Sequence, residues 1–121
     1  MIVLPFPPSV NRLWRQFKGR TILSAEGRQY KARASMCATM GWGIIEYAKG
    51  DVTVYIRAYM PDARKRDIDN LTKMALDSMT AGGVWKDDSQ VKKLTIEHCG
   101  IDRDNPRLEI EVCQQAGTTS A

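Results

Sequence analysis

The sequence has no apolar run approaching the length of about 20 residues that a membrane-spanning helix needs, so we expect no membrane partner. Its start, Met1–Pro5, lacks the charged segment and the longer apolar run of a secretory signal peptide. The three cysteines, Cys37, Cys99 and Cys113, are widely spaced and form no CxxC pair, which argues against a disulfide framework or a zinc ribbon. We therefore expect a protein of the reducing cytoplasm.

The composition is that of a folded, moderately basic chain. With 121 residues, of which 43% are hydrophobic and 26% are charged, the chain has the size and composition of one globular domain. The 18 Lys and Arg residues outnumber the 14 Asp and Glu residues, which gives a net charge of +4 and favours an anionic partner. Nucleic acid fits better than a membrane surface, because no basic helix has a broad apolar face.

Hydrophobic periodicity predicts an α+β fold, in which a small mixed sheet of about four strands packs with two helices in a two-layer α/β arrangement. The predicted order is β-α-β-α-β-β, with strands at 2–6, 51–60, 90–99 and 107–113, helices at 24–47 and 67–79, and a hairpin loop at 100–106. We expect residues 1–113 to form a single domain and residues 114–121 to form a polar, disordered tail.

Several positions within these elements carry specific expectations. Ser24 is the predicted N-cap of the first helix. Between residues 51 and 60 the side chains alternate between apolar and more polar, which is typical of a half-buried strand. The predicted core-facing residues include Tyr30, Ala34, Ala38, Ile44 and Ile45 of the first helix, and Leu94 and Ile96 of the strand at 90–99.

The chemistry of the chain is concentrated between Arg64 and Lys73, where Asp67 and Asp69 stand beside three cations at the start of a predicted helix. If Asp67 is the N-cap, Asp69 is the second helical residue and Lys73 lies one turn further along. A second acidic pair, Asp87 and Asp88, precedes the strand at 90–99. Asp88 can join Asp67 and Asp69 if that strand lies alongside the entry to the helix.

Three carboxylates held together repel one another, and a divalent cation relieves that repulsion. A ligand set made only of oxygen selects a hard cation, Mg²⁺ or Mn²⁺, and such a site suits the hydrolysis of a phosphodiester. Lys73 could neutralise charge that develops in the transition state, and Arg66 could hold the phosphate.

The same residues have a structural interpretation that the sequence leaves open. Aspartate at a helix start commonly acts as a cap, and an Asp–Lys pair four residues apart is commonly a surface ion pair. Under this interpretation the protein is a non-catalytic, basic nucleic-acid-binding module or a phage accessory module.

Three segments, Arg66–Lys73, Leu76–Asp77 and Gly83–Gln90, resemble the RusA-type Holliday junction resolvase family in their order and spacing. This family consists of small DNA endonucleases of bacteria and their phages. A weaker resemblance extends to Pro8–Arg12, while Thr72 stands where an apolar residue is expected.

The resemblance implies a site and a biological setting. Its implied catalytic residues are Asp67, Asp69 and Asp88, which also bind Mg²⁺ (or Mn²⁺), together with Lys73, and Arg66 and Asp87 are supporting candidates. The family's enzymes are homodimers that bind a four-way DNA junction and nick two opposed strands symmetrically. A role in DNA recombination and repair, in the cytoplasm of a bacterial cell or a phage-infected host, follows from the same resemblance.

The segment 9–20 interleaves cations with Trp14 and Phe17 and has no helical period, so we interpret it as a basic loop or ribbon. Its cations could grip phosphates, and its aromatic rings could stack at the unpaired centre of a junction. A solvated loop with its aromatic residues anchored on the core is the competing interpretation. The nucleic-acid-binding candidates are Asn11, Arg12, Arg15, Lys18, Arg20 and Arg66.

Overall fold

A computed structural model describes residues 1–43 and 46–114 of the chain. Its elements in chain order are β1 (Ile2–Pro5), α1 (Val10–Leu13), β2 (Trp14–Phe17), β3 (Arg20–Leu23), α2 (Ala25–Trp42), β4 (Val52–Met60), α3 (Ile68–Ala81), a 3-10 turn (Asp88–Gln90), β5 (Val91–Ile101) and β6 (Arg107–Gln114). Within the described ranges, no helix combines the length and the apolar character required to cross a membrane.

Strand β4 is at the centre of a four-stranded mixed sheet whose order is β1-β6-β4-β5. It pairs antiparallel with β6 and parallel with β5, and β1 pairs antiparallel with the other edge of β6. The predicted alternation is confirmed, since every second residue from Val52 to Met60 is buried and no more than 1% exposed. Helices α2 and α3 pack with this sheet, so the predicted α+β class and four-stranded mixed sheet are confirmed.

The predicted hairpin at 100–106 is wrong. Strands β5 and β6 are not neighbours, because β4 lies between them and hydrogen-bonds to both. The segment between β5 and β6 therefore crosses the end of β4, and the backbone N–H of Asp102 donates to the carbonyl of Met60 at 2.8 Å. A hairpin prediction assumes that strands consecutive in the chain are neighbours in the sheet, whereas here β4 occupies the place between them.

The predicted burial of Leu94 is also wrong, because this side chain is 37% exposed. Strand β5 is an edge strand, and the core reaches only part of its inner face. Ile96, on the same face, is partly buried and packs against the core as predicted.

Helix α2 begins as predicted and ends earlier than predicted. The hydroxyl of Ser24 accepts a hydrogen bond from the backbone N–H of Gly27 at 3.0 Å, which confirms the N-cap. Gly43 adopts a left-handed conformation, with φ of 67°, and its N–H donates to the carbonyl of Thr39, which ends the helix at Trp42. The predicted helical residues Ile44 and Ile45 lie outside the described residues. Of the predicted tail at 114–121, Gln114 is instead the last residue of β6, and residues 115–121 lie outside the described ranges.

The basic segment forms α1 and a β-hairpin of β2 and β3, which the predicted element order did not contain. A two-residue turn at Lys18 and Gly19, both with positive φ, connects the paired strands. The hairpin is anchored to the start of α2, because the backbone N–H of Ser24 donates to the carbonyl of Leu13 at 2.8 Å. The interpretation of this segment as a ribbon is thus confirmed from Trp14 onward, whereas Val10–Leu13 form a helical turn that was not predicted.

The end of α3 packs tightly against α2. The hydroxyl of Thr39 donates to the carbonyl of Gly82 at 2.7 Å, and a Cβ atom added at Gly82 would lie 2.6 Å from the carbonyl oxygen of Ser35 and 2.9 Å from the Cβ of Ala38. Backbone occupies one side of this contact, so a methyl group cannot be accommodated by a simple side-chain rotation.

We therefore expect Gly82→Ala to lower the free energy of unfolding by about 1–3 kcal/mol, since the two helices must separate slightly. Urea denaturation followed by circular dichroism measures this change. The neighbouring exposed position supplies the control, and Ala81→Ser should change the free energy by less than about 0.5 kcal/mol. Equal stability of the Gly82 variant and the wild type would contradict the tight contact.

Candidate active site

Asp67 and Asp69 lie at the start of α3, where Asp67 is the N-cap as predicted. Oδ1 of Asp67 accepts a hydrogen bond from the backbone N–H of Asp69 at 3.1 Å. Both residues are exposed, and Asp69 contributes to the cap through its backbone N–H. The cap thus fixes the backbone at this position while the Asp69 carboxylate faces solvent.

Arg66 is held in place by an acidic partner that the sequence did not suggest. Its Nη1 and Nη2 atoms donate to the two carboxylate oxygens of Asp62 at 2.6 and 3.1 Å, and its guanidinium lies 5.5 Å from the centre of the Phe6 ring. The bond from Arg66 and a second one from the backbone N–H of Arg64 lower the pKa of Asp62 from 3.8 to about 2. The guanidinium of Arg66 is therefore held in a defined position by Asp62 and Phe6.

A cavity of about 210 Å³ lies between the N-terminal segment and the entry to α3. It brings together three of the predicted site residues, Asn11, Arg66 and Asp67. Its other lining residues are Phe6, Pro7, Pro8, Ser9, Leu13, Lys65, Asn70 and Leu71. The segment Pro8–Arg12, which resembles the RusA family only weakly, thus lies next to the acidic start of α3.

Lys73 follows Asp69 by one helical turn and contacts an aromatic ring. Its Nζ atom lies 4.8 Å from the centre of the Trp14 ring, at the base of the hairpin. The sequence suggested Trp14 as a DNA-stacking residue and gave no signal for this contact, because the two residues belong to elements distant along the chain.

Asp87 and Asp88 are presented by the 3-10 turn, which begins with a capping box. Oδ1 of Asp87 accepts from the backbone N–H of Ser89 at 3.0 Å, and Oε1 of Gln90 accepts from the backbone N–H of Asp87 at 3.2 Å. The Gln90 amide also donates to the carbonyls of Ala48 and Gly50, both at 2.9 Å. Gln90 therefore ties this acidic turn to the segment that leads into β4.

Asp88 lies beside Asp77 of α3, which was not among the predicted site residues. Asp77, Asp87 and Asp88 line a cleft of about 400 Å³ together with Lys31 and Lys86. A hydrogen bond with Asp87 is the main cause that raises the pKa of Asp88, and burial and the charges of Asp87 and Asp77 act in the same direction. Negative charge is thus concentrated around Asp88, and a cation would relieve it.

The described ranges contain no group of three or more His, Cys, Asp or Glu side chains placed to hold a metal ion. Asp67 lines the first cavity, whereas Asp88 lines the cleft next to Asp77. The assignment of Asp67, Asp69 and Asp88 as one ligand set therefore stays a prediction. The chemistry of these donors fits a hard divalent cation, since all are carboxylates and neighbouring carboxylates raise the pKa of Asp88.

The predicted DNA-binding cations of α1 and the hairpin are exposed, and they differ in the residues that they contact. Arg12 forms an ion pair with Glu26 at 2.9 Å. Arg15 and Lys18 each lie 5.4 Å from the centre of the Phe17 ring, which is 48% exposed, and Arg20 is exposed on β3. The tip of the hairpin therefore presents positive charge around an exposed aromatic ring.

The chain is similar in sequence to known DNA endonucleases. A family model described as endodeoxyribonuclease RusA matches residues 5–113, which places the chain among the DNA-cleaving endonucleases. The chain is 39% identical over 116 residues to the crossover junction endodeoxyribonuclease RusA of Escherichia coli (strain K12), with 93% of this chain and 92% of that protein covered. It is 43% identical to the protein of that name from Escherichia coli O139:H28 (strain E24377A / ETEC) and 37% identical to that of Enterobacteria phage 82, over the same shares of each chain. The chain belongs to the RusA family.

The Asp62–Arg66 pair predicts a specific dependence on pH. Because the folded-state pKa of Asp62 lies below its unfolded value, the contribution of this pair to stability is present above about pH 4 and is lost as the pH falls toward 2. In a ¹³C NMR titration, the Asp62 carboxyl should show its midpoint near pH 2. Arg66→Gln should move the midpoint up toward 3.8.

Arg103→Gln removes the same charge from an exposed loop and should leave the Asp62 midpoint unchanged. A wild-type midpoint near the ordinary value for aspartate would show that the pair does not form in solution.

Proposed function

We propose that the protein is a metal-dependent, structure-selective DNA endonuclease that resolves four-way (Holliday) junctions by paired, symmetric nicks in recombination and repair. The observation that carries the proposal is the match to crossover junction endodeoxyribonucleases across 93% of the chain. The exposed carboxylates at the start of α3 and in the 3-10 turn, with Lys73 on the same helix as Asp69, support the assignment of hydrolytic chemistry to this region.

Asp67, Asp69 and Asp88 would hold Mg²⁺ (or Mn²⁺), which when bound neutralises charge on the phosphoryl oxygens and activates water. Lys73 places a positive charge near the scissile phosphate, where it stabilises the charge of the transition state. Arg66, kept rigid by Asp62, holds a phosphate oxygen from the cavity side. Asp87 orients the turn that presents Asp88.

Helix α1 and the hairpin would contact the DNA backbone around this site. Their exposed cations attract phosphates regardless of sequence, and the Phe17 ring offers a stacking surface to an unpaired base. The proposed contact residues are Asn11, Arg12, Arg15, Lys18 and Arg20. Arg12 contributes least to the net attraction, because Glu26 already neutralises it.

Two nicks in one junction require two active sites, and a homodimer provides them with the symmetry that the junction itself approximates. We therefore propose a homodimer that acts on branched DNA in the cytoplasm of a bacterial or phage-infected cell. The free cysteines at positions 37, 99 and 113 agree with a reducing compartment.

One observation favours the second candidate function, a non-catalytic nucleic-acid-binding or phage accessory module. Asp67 and Asp87 each cap a helical segment, so part of the acidic motif has a structural role. Under this alternative, neither Mg²⁺ nor Mn²⁺ supports cleavage of any branched DNA.

Asp69→Asn separates the two functions, because the substitution keeps the shape of the side chain and leaves the Asp67 cap bond intact. We expect cleavage of a synthetic four-way junction in Mg²⁺ to slow by about a hundredfold or more, since a charge that acts on the reacting phosphate is lost. Binding of the same junction in EDTA should stay within about twofold of the wild type.

Glu111→Gln, which removes an exposed carboxylate on β6 that pairs with Arg57 of β4, is the matched control and should cleave at the wild-type rate. Duplex and flap DNA with Mg²⁺ or EDTA define the substrate and the metal requirement in the same assay. Full activity of the Asp69 variant would refute the assignment of this carboxylate.

The exposed hairpin cations generate a separate prediction about binding. Arg15→Ala and Lys18→Ala should each weaken binding to DNA of any sequence, and each should reduce the slope of log K against log salt by about 1, because one phosphate contact disappears. Fluorescence anisotropy measures both the affinity and the salt slope. Roughly 50 to 200 mM salt is a suitable range, because affinities that depend on phosphate contacts fall strongly across it.

Arg103→Ala removes an equal charge from the loop between β5 and β6, so it controls for net charge alone. If the hairpin variants and this control weaken binding equally, the hairpin is not a specific part of the DNA interface.

A further inference from the structure

Lys73, the lysine of the proposed active site, contacts an aromatic ring. Its Nζ atom lies 4.8 Å from the centre of the Trp14 ring, and among the described residues no carboxylate lies within 4.0 Å of it. The lysine is exposed. An exposed lysine with no contact would sample many rotamers, so the indole face is what restricts the position of its ammonium group.

Trp14 is itself well fixed. It begins β2, pairs with Leu23 of β3 and packs, partly buried, against the hydrophobic core. Two hydrogen bonds from Ser24, one from its backbone N–H to the carbonyl of Leu13 and one from its hydroxyl to the carbonyl of Arg12, tie this end of the hairpin to the start of α2. The ring is therefore a firm platform, in contrast to Phe17 at the exposed end of the hairpin.

We propose that Trp14 is a positioning residue that holds the Lys73 ammonium in place for the reaction. This inference rests on the proposed function, and it assigns Trp14 a role different from base stacking. A cation attracted to the face of an indole keeps its positive charge and loses part of its conformational freedom. Since Lys73 lies one turn from Asp69, the contact fixes the charge beside the acidic helix start rather than leaving it in solvent.

The two roles of Trp14 predict opposite results. A residue that stacks on a DNA base contributes to affinity, so its removal weakens binding. A residue that positions a catalytic charge contributes mainly after DNA is bound, so its removal lowers the rate of the bound complex and leaves affinity nearly unchanged.

The decisive experiment compares Trp14→Ala and Trp14→Phe with the wild-type chain. Single-turnover cleavage of a synthetic four-way junction in Mg²⁺, with enzyme in excess, gives the rate of the bound complex, and anisotropy in EDTA gives the affinity. We expect Trp14→Ala to be slower by roughly tenfold, since an exposed cation–π contact corresponds to about a two- to fivefold effect and a misplaced group adds to it. Affinity should change by less than about twofold.

Trp14→Phe supplies the rescue by a conservative variant. A phenyl ring retains the negative face that attracts a cation, so the rate should return to within about threefold of the wild type. Tyr59→Ala is the matched control, because it removes a ring 4.0 Å from Arg107, a cation–π pair outside the candidate site, and its rate should equal that of the wild type.

A second measurement tests the contact without any catalysis. Lysine protons over an aromatic face resonate upfield, so the Lys73 Hε signals in a ¹H–¹³C NMR spectrum should be shifted upfield in the wild type. The shift should disappear in Trp14→Ala and persist in part in Trp14→Phe, and the spectra also report whether each variant is folded.

Four outcomes would overturn the inference. An unchanged rate with weaker binding in Trp14→Ala would identify a base-stacking residue, and equal slowing in the Ala and Phe variants would indicate general packing. If the wild-type chain cleaves no branched DNA, the proposed function fails and the positioning role fails with it, even where the upfield shift shows that the contact exists. If the wild type cleaves and Trp14→Ala cleaves equally fast, the positioning role alone fails.

Discussion

Strand β4 uses both of its backbone edges, pairing with β6 on one side and β5 on the other, and its inner face is fully buried. This double pairing constrains the position of the acidic segments. The segment leading into β4 accepts the two hydrogen bonds from Gln90 that hold the Asp87–Asp88 turn, and the helix that connects β4 to β5 carries Asp67, Asp69 and Lys73. Thus one parallel crossover carries both acidic segments.

The electrostatics of this region separate paired charges from unpaired ones. Arg66 is matched by Asp62, and Arg12 is matched by Glu26, so these cations are partly neutralised within the chain. Asp88 instead faces further carboxylates, which raise its pKa. Among the described residues, the cation of Lys73 contacts a ring and forms no ion pair with an acid. In the proposed function, its charge is therefore available to a phosphate of the DNA.

Features set by local sequence were predictable, and features set by distant pairing were not. The caps at Ser24 and Asp67 and the alternation of β4 follow from short-range chemistry and periodicity, and all three are confirmed. The placement of β4 between β5 and β6 depends on which strands meet across the chain, so the expected hairpin at 100–106 and the burial of Leu94 were both wrong. The contact between Trp14 and Lys73 and the proximity of Asp77 to Asp88 depend on packing between elements, for which a single sequence carries no local signal.

The order of strands also bears on how the chain is made. Strand β1 precedes the other described strands in the chain, and within the described sheet it pairs with β6, the last of them. Strand β4 likewise obtains both of its neighbours from later segments. Until β6 has been synthesised, β1 and one edge of β4 have no partner in the sheet. Closure of the sheet therefore depends on contacts between distant parts of the chain, and such non-local contacts make folding slower than local ones would.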